Sequence, residues 1–108
     1  MEFKVNVLGA SYDVFTEVNL EDDPHLEGAD GYTDYTVRKI VVSAFESDNR
    51  SVADLKYHEH KVLRHELVHA FLFESGLGTE TWARNEEIVD WIAFQFPKIE
   101  QLFNQLSI

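Results

Sequence analysis

Apolar and polar residues alternate through Phe3-Lys4-Val5-Asn6-Val7, and again from Tyr12 to Val18, where Tyr12, Val14, Phe15 and Val18 supply the apolar positions. Leu8-Gly9-Ala10-Ser11 between them is turn-like, so the two runs predict a β-hairpin. Asn19 to Asp34 has few apolar anchors and many acids, punctuated by Pro24, Gly28 and Gly31, and reads as a loop. Tyr35 to Ser43, with Val37, Ile40, Val41 and Val42, has the β-branched density of a third strand. Ser47 to Ser51 is turn-like, with Asp48 or Ser51 suited to cap a following helix. From about Ser51 to Ser75 the spacing becomes helical through Val52, Leu55, Val62, Leu63, Leu67 and Ala70, and Gly76 offers a left-handed stop. A second helix is expected after Asn85, with Ile88, Trp91 and Ile92 inward, kinked or ended by Pro97. A short final helix from Lys98 to Ile108 would turn Ile99, Leu102, Phe103 and Leu106 inward. The expected fold class is α+β: a short N-terminal three-stranded sheet packed on a central helix, then two shorter helices.

Composition narrows the function classes. A chain of 108 residues, 44% hydrophobic and 13% aromatic, is expected to form a single domain over 1–108 with a real core. It has no cysteine, which excludes a disulfide scaffold and thiol chemistry and fits a reducing cytoplasm. No apolar run approaches the ~20 residues of a membrane span, and the first residues lack the order of a signal peptide. A soluble, cytoplasmic protein is expected. The formal charge of −11 disfavours nucleic acid and anionic membrane as partners and favours a basic partner or substrate segment. The same charge also serves plain solubility.

Candidate chemistry centres on Arg64-His65-Glu66-Leu67-Val68-His69, a His-Glu-x-x-His pattern. On a helix the four-residue step stacks His65 and His69 on one face, where both imidazoles can reach one ion, with Glu66 beside them as a carboxylate able to take a proton from water. Leu67, Val68, Ala70, Phe71, Leu72 and Phe73 make this stretch apolar nearly all round, which predicts a buried helix whose polar groups need partners. A helix whose histidines merely bond backbone or solvent is the plainer alternative. His58 falls on nearly the same stripe two turns earlier, about 10 Å away; that is too far to share an ion, though it can line the approach. The acids of Asn19–Asp34 lack the ligand spacing of an EF-hand calcium loop, and His25 there is a remote option as a ligand or lid.

A catalytic zinc takes three protein ligands. No histidine lies between Leu72 and Gly78, which excludes a metzincin, and leaves Glu74, Glu80, Glu86, Glu87 and Asp90 as candidates. Asn85-Glu86-Glu87-Ile88-Val89-Asp90 resembles the Asn-Glu-x-x-x-Asp helix of thermolysin-type gluzincins. The order of elements is similar to the minimal gluzincin core of small bacterial and phage-associated metallopeptidases, to which the anti-repressor proteases of mobile elements are related. The resemblance implies Zn²⁺ held by His65, His69 and Glu86, with Glu87 as the alternative third ligand, Asp90 orienting a ligating histidine, and Glu66 as general base. Larger gluzincins supply an oxyanion-stabilising Tyr or His from a further subdomain. Here Tyr32, Tyr35, His25, His58 or Arg84 would have to serve.

The expected function is a zinc metallopeptidase acting on a peptide or protein substrate. Two alternatives stand beside it: a zinc-binding module of the same build without efficient catalysis, and an acidic inhibitor or nucleic-acid mimic of a mobile element. Mn²⁺, Fe²⁺ or Ni²⁺ suits the same N/O donors. Oligomeric state is not legible in the sequence.

Overall fold

The computed structural model describes residues 1–45, 54–78 and 80–108. Strands β1 (Glu2–Val7) and β2 (Ala10–Val18) form the expected antiparallel hairpin, paired from Glu2↔Phe15 to Val7↔Ala10. Its two-residue turn is Leu8-Gly9, both at positive φ (50° and 90°), and the Asn6 side chain accepts from the Gly9 N–H. Turns with two positive φ angles match the twist of the strands they join.

Two further strands follow, not one. β3 (Gly31–Asp34) falls inside the segment expected to be a loop, and β4 is confined to Lys39–Ser43. The sheet has four strands in the order β1-β2-β4-β3, with β4 parallel to β2 and antiparallel to β3. The three-stranded expectation is therefore corrected. Residues 35–38 turn the chain between β3 and β4, so the strand rich in Ile40, Val41 and Val42 is internal and β3 is the edge. All three of those residues are buried, and since successive side chains point to opposite faces, the strand is covered on both.

Helix α1 (Leu55–Glu74) lies across one sheet face. Tyr12, Val14, Ile40 and Val42 from the sheet form a core with Ala70, joined by Val62, Leu63 and Leu67 of the helix. Fully burying each such side chain contributes about 1.5–3 kcal/mol. The Asp54 side chain caps α1 by accepting from the Tyr57 N–H; the expected caps Asp48 and Ser51 lie outside the described residues. Gly76, at φ 105°, ends the helix as expected. At the far end of α1 a second cluster of Leu72, Ala83 and Val89, with Val68 and Leu77, ties on a short 3₁₀ turn (Trp82–Arg84) and helix α2.

Helix α2 runs unbroken from Glu86 to Gln105, capped by the Asn85 side chain, with Pro97 inside it. Of the two outcomes expected at Pro97, a kink or an end, the end is corrected, and so is the separate final helix: the apolar positions keep one helical phase across the proline, which removes a single backbone donor. The inward stripe is corrected too. α2 is rotated so that Glu86 and Asp90 face α1, with Val89 and Ala93 buried, Ile92 and Ile99 half-buried, and Ile88 and Trp91 exposed, while Leu102, Phe103 and Leu106 are exposed towards the end of the helix. α1 itself is not buried all round, since Phe71 is half exposed. Among the described residues no helix is long and apolar enough to cross a membrane.

Candidate metal centre

His65 and His69 are one helical turn apart on α1, with ring centroids 4.9 Å apart and planes at 72°. Glu86 enters from the first turn of α2, directly after the Asn85 cap, so the cap fixes where this carboxylate starts. His65 Nε2 lies 2.9 Å from Glu86 Oε2, and His69 Nε2 lies 2.8 Å from Glu86 Oε1. Among the described residues His65, His69 and Glu86 form the one group of three such side chains with a donor atom each, all within 4.8 Å of one another.

The donor chemistry fits a cation. Four-coordinate zinc holds its ligands at ~2.0–2.1 Å, which sets neighbouring donors ~3.3 Å apart, and the spread of 2.8 to 4.8 Å here brackets that separation. The hydrogen count permits it. His65 Nδ1 faces Asp90 Oδ1 at 3.3 Å while its Nε2 faces Glu86. A neutral imidazole has one N–H, so given to Asp90 it leaves the Nε2 lone pair for a cation between the rings and Glu86. His69 Nδ1 is buried and makes no hydrogen bond of ordinary geometry, although the Ala83 backbone is close enough to favour a proton on that ring. Burial nonetheless dominates and lowers the His69 pKa, with Glu86 opposing, and so favours the neutral ring that a metal ligand must be.

Glu66 is 7% exposed, next to the ligand pair but outside it. Burial raises its pKa, offset in part by a hydrogen bond from Thr33 and by the nearness of His65. The Thr33 hydroxyl lies 2.9 Å from Glu66 Oε1 and 3.0 Å from the Glu66 carbonyl, pinning edge strand β3 to the helix at the candidate base. Gly31, two residues earlier on the same strand face, permits this approach. A Cβ there would stand 2.8 Å from the Val41 carbonyl and 2.9 Å from Val62 Cγ1.

Two clefts open on the centre from either side of Gly31, Glu66 and Glu86. One, of about 330 Å³, is lined by Asp30, His58, Lys61, His65 and Asp90. The other, of about 580 Å³, is lined by Tyr32, Thr33, Tyr35, His69 and Arg84.

The other sequence candidates sort by position. Glu74 is 2.9 Å from the buried Tyr12 hydroxyl and 3.0 Å from Arg38, engaged away from the centre. Glu80 is exposed, and Glu87 is exposed and outside the three-residue group. Of the candidate oxyanion donors, Tyr32 gives its hydroxyl to Asp23, which also accepts from the outlying His25. His58 pairs with Asp30 at 3.3 Å. Tyr35, stacked on Phe73 at 4.5 Å, and Arg84 share the wall beside His69. Sequence reasoning missed Thr33 and Gly31, because both fall in the acidic stretch read as a loop. Tyr32 and Thr33 are the local strand formers there, and two residues are too few to stand out.

Compared with protein-family models, curated proteins and solved structures, the chain gives no match.

Proposed function

We propose that this chain is a zinc-dependent metallopeptidase of the gluzincin kind, with His65, His69 and Glu86 as metal ligands and Glu66 as general base. The observation that carries the reading is the convergence of two imidazole Nε2 atoms and one carboxylate within 4.8 Å, from two helices, beside a buried carboxylate that opens onto the same cleft. Zinc, when bound, supplies a Lewis acid that polarises a carbonyl and makes water acidic near neutral pH.

The chain's own residues do the rest. Asp90 accepts from His65 Nδ1 and holds that ring in one tautomer. Glu66 takes a proton from the attacking water on a carboxylate oxygen and delivers it to the leaving amine nitrogen, so the C–N bond is exchanged for a C–O bond and the products are a carboxylic acid and an amine. Thr33 fixes the carboxylate that performs this transfer. The open edge of β3, bordering both clefts, suits an extended substrate backbone added as a further strand. Asp30, Glu86 and Asp90, set against Lys61, favour a basic substrate segment.

The test is hydrolysis of a mixed peptide pool by the zinc-loaded chain and by Glu66→Gln. Turnover that falls at least ~10²-fold in the variant with metal retained is expected. Equal turnover in the two contradicts the role of Glu66. Metal bound by the wild-type chain without any turnover favours the binding-module reading.

A further inference from the structure

Val89, Ile92, Phe96, Ile99, Phe103 and Leu106 follow one another at steps of three, four, three, four and three residues. That spacing is a coiled-coil seam. Its first positions are used within the chain, since Val89 is buried and Ile92 half-buried. Of its later positions Ile99 is half-buried, but the others are open: Phe96 is 55% exposed, Phe103 48% and Leu106 63%, with Leu102 widening the stripe. The second half of α2 thus leaves the body as an arm, and the radius of gyration is 14.8 Å, against ~13 Å for a compact chain of this length. At the root of the arm, Leu67, Val68 and Phe71 of α1 and Ile92, Ala93 and Phe96 of α2 line a groove of about 430 Å³ that is almost wholly apolar.

Charge and area identify what covers these surfaces. Residues 91–108 carry one lysine and one glutamate, so the whole net charge of −11 sits on the rest of the chain. A basic partner would be drawn to that acidic remainder, and interfacial membrane helices carry several Lys and Arg on their polar face, where this arm has a single cation, Lys98, beside Gln101, Asn104 and Gln105. A second copy meets apolar surface with apolar surface, Arg64 being the one charged residue on the groove's lining. Large side chains present ~150–250 Å² when fully exposed. Five half-exposed ones (Phe71, Phe96, Leu102, Phe103, Leu106) therefore offer roughly 400–700 Å² per copy, which reaches the lower end of one side of a standard specific interface.

We infer that the chain forms a two-fold dimer in which the arm of each copy lies in the α1–α2 groove of the other. The two α2 helices then run antiparallel, with Phe103 and Leu106 of one copy seated among Phe71, Ile92 and Phe96 of its partner. Such pairing is isologous and closes at two copies.

Sedimentation of the full chain from about 1 to about 100 µM in physiological salt tests this. The expected mass is twice the 12.5 kDa of one chain, falling to a single chain in Phe103→Glu/Leu106→Glu and in Phe71→Glu, each with an unchanged helical circular-dichroism signal. Phe71→Glu, on α1, decides the matter if the double variant loses helix. A wild-type chain of single mass over the whole range overturns the inference, including one that instead binds phosphatidylcholine vesicles. So does a Phe71→Glu variant that remains dimeric.

Discussion

The Thr33 hydroxyl lies 2.9 Å from the Glu66 carboxylate, across the junction of edge strand β3 and helix α1. One O–H shared between that carboxylate and the Glu66 carbonyl anchors the candidate base to the strand proposed to hold substrate. Thr33→Val keeps the shape and the β-branch but deletes the donor. The expected loss is about 1–3 kcal/mol, because a buried carboxylate is left short of a partner. Urea denaturation at neutral pH reads it, and an unchanged midpoint would mean that the hydroxyl contributes nothing.

Gly31 sets how closely β3 and α1 approach. In Gly31→Ala the new methyl meets the Val41 carbonyl at 2.8 Å and Val62 Cγ1 at 2.9 Å. Overpacking of this kind costs about 1–3 kcal/mol. Adding Val62→Ala is expected to restore only part of it, since the backbone carbonyl cannot be trimmed. Full restoration in the double variant would show that the side-chain clash alone matters.

Glu74 gives the fold a defined acid dependence. Arg38 first, and the Tyr12 hydroxyl next, hold its pKa below the ordinary 4.5. A carboxylate with a depressed folded pKa stabilises the fold fully above its unfolded value, and the contribution disappears as pH falls through the folded value. Wild type is therefore expected to exceed Glu74→Gln in stability at neutral pH, with the gap closing below about pH 4.5. Denaturation series on both proteins check this, and a gap constant down to acid pH would rule out the ion pair as its source.

The parts of the fold legible in the sequence were those fixed by local periodicity and punctuation. The hairpin followed from two alternating runs around Gly9. The end of α1 followed from the apolar spacing and Gly76. The meeting of Glu86 and Asp90 with His65 was implied by the resemblance of Asn85–Asp90 to the gluzincin glutamate helix, with which the four-residue step agrees. What was not legible depends on contacts distant in sequence. Gly31 to Asp34 is a strand because β4 offers it a partner, and Tyr32 alone gives it little apolar signal. Pro97 sits inside α2 because the stripe on either side keeps phase. The inward face of α2 carries Val89 and Ala93, which leaves Trp91 outside, whereas Phe103 continues the stripe of Val89 and Ile92 into the exposed end of the helix.

The central claim is that His65, His69 and Glu86 hold one metal ion. Elemental analysis of protein purified without a metal-affinity tag and supplied with zinc tests it most directly, beside His69→Ala, Glu86→Ala and Glu87→Ala. About one zinc per chain is expected in the wild type and in Glu87→Ala, with loss in the other two. No zinc in the wild type, or zinc undiminished in Glu86→Ala, would contradict the account.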